Sequence, residues 1–81
     1  MSTEFEIADT LDVTGLNCPM PVVKTKQAVD GLAPESILEV IATDPGSLPD
    51  IEGWAASTAG VELVDQVESD EVYKHYVRKA E

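Results

Sequence analysis

The chain has 81 residues, 43% of them apolar and spread along its whole length, enough to exclude a disordered polar chain and to build one modest core that buries roughly 60% of the unfolded surface. Sixteen acidic against 5 basic side chains give a formal charge of −11, which repels phosphate backbones and excludes bulk nucleic-acid binding. One Cys and one His exclude an internal disulfide and, by themselves, a closed four-ligand zinc site.

No apolar run approaches the roughly 20 residues of a membrane span. The opening "MSTEFEIADT" lacks the basic region and apolar core of a signal peptide. A cytoplasmic protein of one domain, residues 1–81, is expected. The charge is uneven. Residues 1–73 contain only Lys24 and Lys26 as cations, whereas the last eight residues carry Lys74, Arg78 and Lys79. Dense carboxylates suit a high-salt cell, and they equally suit an acidic surface that docks a partner; composition leaves both readings open.

In chain order, "ADTLDV" (residues 8–13) predicts a strand with Leu11 and Val13 on one face, closed by Thr14 and Gly15. From residue 19 to 32 the period becomes helical. Pro21, Val22, Thr25, Ala28, Val29 and Leu32 fall on one side, with Lys24, Gln27 and Gly31 opposite, and Gly31 and Pro34 mark the end. "SILEVIAT" (residues 36–43) is apolar in both parities, as in a strand central to a sheet.

"DPGS" then forces a turn. Ser47 and Asp50 have the spacing of a capping box, and Leu48, Ile51, Trp54, Ala55 and Thr58 form the apolar stripe of a second helix that stops at Gly60. "VELVDQV" and "EVYKHYV", separated by "ESD", predict a hairpin. The order βαβαββ implies an α/β (α+β) two-layer sandwich, a four-stranded mixed sheet with both helices on one face. Crossover helices imply parallel strand neighbours, and the closing hairpin an antiparallel pair.

Cys18 stands where the first strand gives way to the first helix, within "TGLNCPMPVVK" (residues 14–24). The pattern reads as an N-cap followed by Pro19 and Pro21 in the permissive first turn. With two prolines lacking N–H groups, Met20 and Val22 are the first expected donors near the sulfur. A helix N-terminus, with Lys24 one to two turns on, favours thiolate and lowers cysteine pKa values from about 8.5 into the range of roughly 3.5 to 7.5. A small inert cap residue fits the same spacing, so the residues alone leave both readings standing.

"GLNCPMP" (residues 15–21) resembles the Cys-Pro-X-Pro signature of the TusA-like (SirA-like) sulfur-carrier family, and the element order, the length and "TDPGSLPDIEGW" downstream resemble it too. The resemblance implies that Cys18 accepts sulfane sulfur as a persulfide and relays it. Asn17, Pro19, Met20, Pro21 and Lys24 would shape the site. The implied partners are a sulfur donor, such as a cysteine desulfurase or rhodanese, and a sulfur acceptor in tRNA thiolation, molybdenum-cofactor assembly or sulfur metabolism. The resemblance implies no cofactor, metal or membrane, and a sulfur-transfer carrier rather than a free-standing enzyme. The family pattern departs at Leu48 and Pro49, where many relatives are basic, and at Val61. The alternative from another class is a non-catalytic interaction or redox-regulatory module.

His75, between two tyrosines, is expected to fill a sheet position rather than act as a base. Trp54 is expected in the core. Lys74, Tyr76 and Arg78 alternate onto one strand face, where they would make a docking stripe for a protein.

Overall fold

The computed structural model describes residues 7–17 and 20–80. Its elements are β1 (Ile7–Val13), α1 (Met20–Asp30), β2 (Ile37–Ala42), α2 (Ser47–Ser57), β3 (Val61–Ser69) and β4 (Val72–Lys79), the βαβαββ order that the periodicity predicts. The four strands make one mixed sheet in the order β1-β2-β4-β3.

β1 and β2 are parallel neighbours joined by α1. The second crossover ends differently. β4 pairs antiparallel with both β2 and β3, so β3 runs in the same direction as β2 but is not its neighbour. The expected hairpin forms, and its second strand occupies the slot beside β2. Apolar residues of both parities in β2 match this central place: Ile37, Leu38, Val40 and Ala42 are all buried.

The register sorts side chains between the faces. Leu11, Val13, Leu38, Val40, Ala42, His75, Val77 and Leu63 share the helix-covered face. There Val13, Val29, Leu38, Val40, Ala42, Ile51 and Val77 form the core, with Leu16, Val22, Ala28, Leu32 and Trp54 packed against it. The molecule measures 30 × 29 × 18 Å, its short axis matching one sheet about 10 Å from one layer of helices.

The element ends differ from the local reading in physically informative ways. Gly31 follows α1 but does not take a left-handed conformation. Glu35 does, at φ 71°, while the Lys79 ammonium donates to the Asp30 and Leu32 carbonyls, satisfying acceptors at the helix end from a distant strand. The Ser47–Asp50 capping box does not form. The N-cap of α2 is Gly46, which makes no side-chain capping bond, and Asp44 Oδ1 accepts the Gly46 N–H at 3.1 Å. Ser47 is the first helical residue, and a partner on β4 claims its hydroxyl. α2 ends at Ser57, before Gly60, with the Thr58 hydroxyl donating to the Trp54 carbonyl. In the hairpin, Asp70 and Glu71 both have positive φ, a two-residue turn of the kind that matches strand twist.

Candidate functional site

β1 and β2 are parallel, so the β1–α1 loop (14–17) and the β2–α2 loop (43–46) lie at one end of the sheet, together with the hairpin turn. The loop entering α1 is tied at each step. Asp12 Oδ1 accepts the Thr14 N–H at 2.9 Å and the Thr14 hydroxyl at 2.7 Å, an Asx turn that holds the Asp12 carboxyl below its ordinary range, the N–H contributing most. Gly15 turns left-handed at φ 82°, and its N–H donates to Thr43 Oγ1 at 2.9 Å. The Leu16 N–H donates to the Val13 carbonyl and the Met20 N–H to the Asn17 carbonyl, at 3.2 and 2.8 Å.

Cys18 and Pro19 lie outside the described residues, and with them the N-cap reading of Cys18. The flanking residues are described. Asn17 is exposed, and Met20 is 39% exposed at the start of α1. The expectation that Met20 offers a free N–H is corrected, because that N–H is spent on Asn17. Pro21 is fully buried and its carbonyl accepts the Thr25 hydroxyl at 2.7 Å, so it meets the core rather than solvent. Lys24 is exposed. Lys26 pairs with Asp30, Arg78 with Glu35 and Glu62, and Lys79 binds helix-end carbonyls. Among the described residues Lys24 and Lys74 are the cations without such a tie. α1 has no acidic side chain in its first turn, in a chain with 16 carboxylates.

His75 is structural, as the alternation suggests. It is 0% exposed, with Ser47 Oγ 3.0 Å from Nε2 and Gln66 Nε2 3.0 Å from Nδ1. Gln66 Nε2 also donates to the Leu48 carbonyl at 3.0 Å. A carbonyl only accepts, so the Gln66 atom facing it is the amide nitrogen; that nitrogen only donates, so Nδ1 accepts. The imidazole is therefore neutral, with its proton on Nε2 donating to Ser47. Burial pushes its pKa down to about 4. The network joins the start of α2 to β3 and β4.

The expected stripe of Lys74, Tyr76 and Arg78 does share one face, the face away from the helices, but most of it is occupied. The Tyr76 hydroxyl donates to Glu39 at 2.9 Å, and burial, that bond and the Glu39 and Asp65 charges push its pKa up to about 12. Arg78 is spent on two glutamates. Trp54 packs on the core as expected and also lines a cleft of about 180 Å³ at the opposite end of the sheet, with Lys26, Asp30, Thr58 and Lys79.

No group of three or more His, Cys, Asp or Glu among the described residues is placed to hold a metal ion, and no helix there is long and apolar enough to cross a membrane. Sequence reasoning missed Thr43, the Asp12–Thr14 turn and Gln66. Asp-x-Thr before a glycine is a local signal for the turn. The Thr43 and Gln66 contacts join residues 28, 18 and 9 apart and leave no local trace.

Comparison with known proteins agrees with this architecture. The chain is 68% identical over 79 residues to a candidate sulfur carrier protein of Halobacterium salinarum, covering 98% of both. It is 43% identical over 76 residues to the sulfur carrier protein TusA of Pseudomonas fluorescens, covering 94% of this chain and 90% of that one. The crystal structure of a SirA-like protein from Desulfitobacterium hafniense shares the fold, with a TM-score of 0.77 at 24% identity over 90% of this chain and 99% of that one. The family model described as sulfurtransferase TusA matches residues 9–79, nearly the whole of both structural layers and the loop between β1 and α1, and the chain belongs to that family.

Proposed function

We propose that this protein is a sulfur carrier whose Cys18 bears the sulfur. The observation that carries the reading is the family match over residues 9–79, which spans "GLNCPMP" and its only cysteine. In the reaction, the Cys18 thiolate attacks the outer sulfur of a persulfide on a donor protein. A bond forms between Cys18 Sγ and that sulfur, the donor's S–S bond breaks, and its electron pair leaves with the donor thiolate. The sulfane sulfur keeps its oxidation level, so no external oxidant or reductant takes part. An acceptor protein later repeats the attack on the Cys18 persulfide.

The surroundings support the chemistry. α1 begins two positions after Cys18, and its N-terminal partial charge meets no acidic side chain in the first turn. Lys24, free of any ion pair among the described residues, adds positive potential. Pro19, Met20 and Pro21 shape the entry to the helix, with Pro21 anchored in the core, and Asn17 closes the turn before it. Nucleophilicity falls as pKa falls, so a thiol tuned near ambient pH both accepts sulfur and gives it up.

Carriage requires a donor and an acceptor protein. A cysteine desulfurase or rhodanese fits as donor, and an enzyme of tRNA thiolation, molybdenum-cofactor assembly or sulfur metabolism as acceptor. A reducing cytoplasm keeps the lone thiol available. The test is to incubate reduced protein with a cysteine desulfurase and cysteine and to read intact mass. The parent gains one sulfur atom and Cys18→Ser gains none; an unmodified parent would return Cys18 to a structural role.

A further inference from the structure

The bonds of the β1–α1 loop fall into two kinds. Those made by the N–H groups of Thr14, Leu16 and Met20 span two or three residues. They give the loop its shape but do not set its place over the sheet. The bond from Gly15 to Thr43 joins residues 28 apart and ties the loop to the segment that follows β2. Gly15 aims its N–H there through a left-handed φ of 82° that a side chain disfavours.

Thr43 is a fixed post. It follows Ala42, fully buried and paired with Tyr73 in the sheet. Four and five residues later, the His75 and Gln66 contacts hold Ser47 and Leu48. The segment carrying the hydroxyl is thus secured on both sides, while the loop it restrains leads within three residues to Cys18.

We propose that Thr43 is a positioning residue for Cys18: its hydroxyl, by accepting the Gly15 N–H, sets the place of the chain segment that delivers the cysteine to the start of α1. The inference rests on the carrier reading of Cys18. Thr43 acts through the loop, and its side chain is exposed, so its loss disturbs the site more than the core.

The experiment compares the parent with Thr43→Val, which removes the acceptor at nearly constant shape, and Thr43→Ser, which keeps it. Sulfur uptake from a cysteine desulfurase and cysteine, the rate of Cys18 alkylation by iodoacetamide across pH, and the melting temperature are measured for each. Thr43→Val should melt close to the parent, take up sulfur about tenfold more slowly, as misplaced reacting groups do, and show a displaced alkylation profile. Thr43→Ser should restore both. Parental uptake and alkylation in Thr43→Val overturn the inference. So does slow uptake with an unchanged alkylation profile, which would locate the defect in partner docking, and so does a Thr43→Ser variant as impaired as Thr43→Val. If the parent takes up no sulfur, the carrier reading fails, and the alkylation profiles alone decide the role of Thr43.

Discussion

At the residue scale, two hydroxyl groups near the start of α2, one of them at capping-box spacing, serve distant partners. Ser47 accepts from His75, and Thr43 accepts from Gly15. The first contact has a consequence for acid stability. The folded-state pKa of His75 is about 4 against an ordinary 6.5. Below pH 6.5 the unfolded chain therefore takes up a proton that the native imidazole refuses, and stability present above that pH drains away as pH falls toward 4. The loss from this group is on the order of 3 kcal/mol once pH is below both values. Protonation would also set an Nδ1–H against the Gln66 amide nitrogen, which only donates. As the chain has one histidine, its NMR titration is unambiguous; we expect a midpoint near 4, and a midpoint near 6.5 would show a solvated ring.

At the element scale, the helices take most of their stability from packing rather than from propensity. α2 carries Gly53 at an exposed interior position where an added Cβ would meet nothing within 4 Å. Its backbone freedom in the unfolded state costs about 1 kcal/mol relative to alanine. Gly53→Ala should therefore stabilise by about that amount in urea unfolding, and a destabilised variant would mean that the exposed face of α2 makes contacts that require glycine. Both edge strands carry a register shift, between Ile7 and Asp9 in β1 and between Leu63 and Asp65 in β3. Such irregularities interrupt the row of unpaired backbone groups that would otherwise invite another strand.

At the scale of the whole molecule, charge dominates. Among the described residues, ion pairs involve Asp30, Glu35 and Glu62, in a chain with 16 acidic side chains. Most of the remaining negative charge is mutually repulsive over a small body. Salt shortens the Debye length from about 10 Å at 0.1 M to about 3 Å at 1 M, so the melting temperature should climb from dilute to molar potassium chloride. Each kcal/mol of repulsion relieved corresponds to roughly 4–8 °C for a domain of this size. A flat profile would sink the claim that self-repulsion limits stability.

The sequence by itself determined the type and order of all six elements, the buried faces of both helices and the motif around Cys18. Each of these depends on periodicity or on neighbours within one helical turn, and Val29, Ile51 and Val40 are buried where their spacing says they should be. Tertiary structure decided the insertion of β4 between β2 and β3, the capture of Ser47 by His75, the closure of α1 by Lys79 and the tie from Gly15 to Thr43. Those choices join residues far apart in the chain, and a local window contains only one partner of each pair. A hydroxyl near a helix start has several energetically similar acceptors and donors within reach. Only the packed sheet, by burying His75 beside Ser47 and setting Thr43 beside Gly15, makes one of them win.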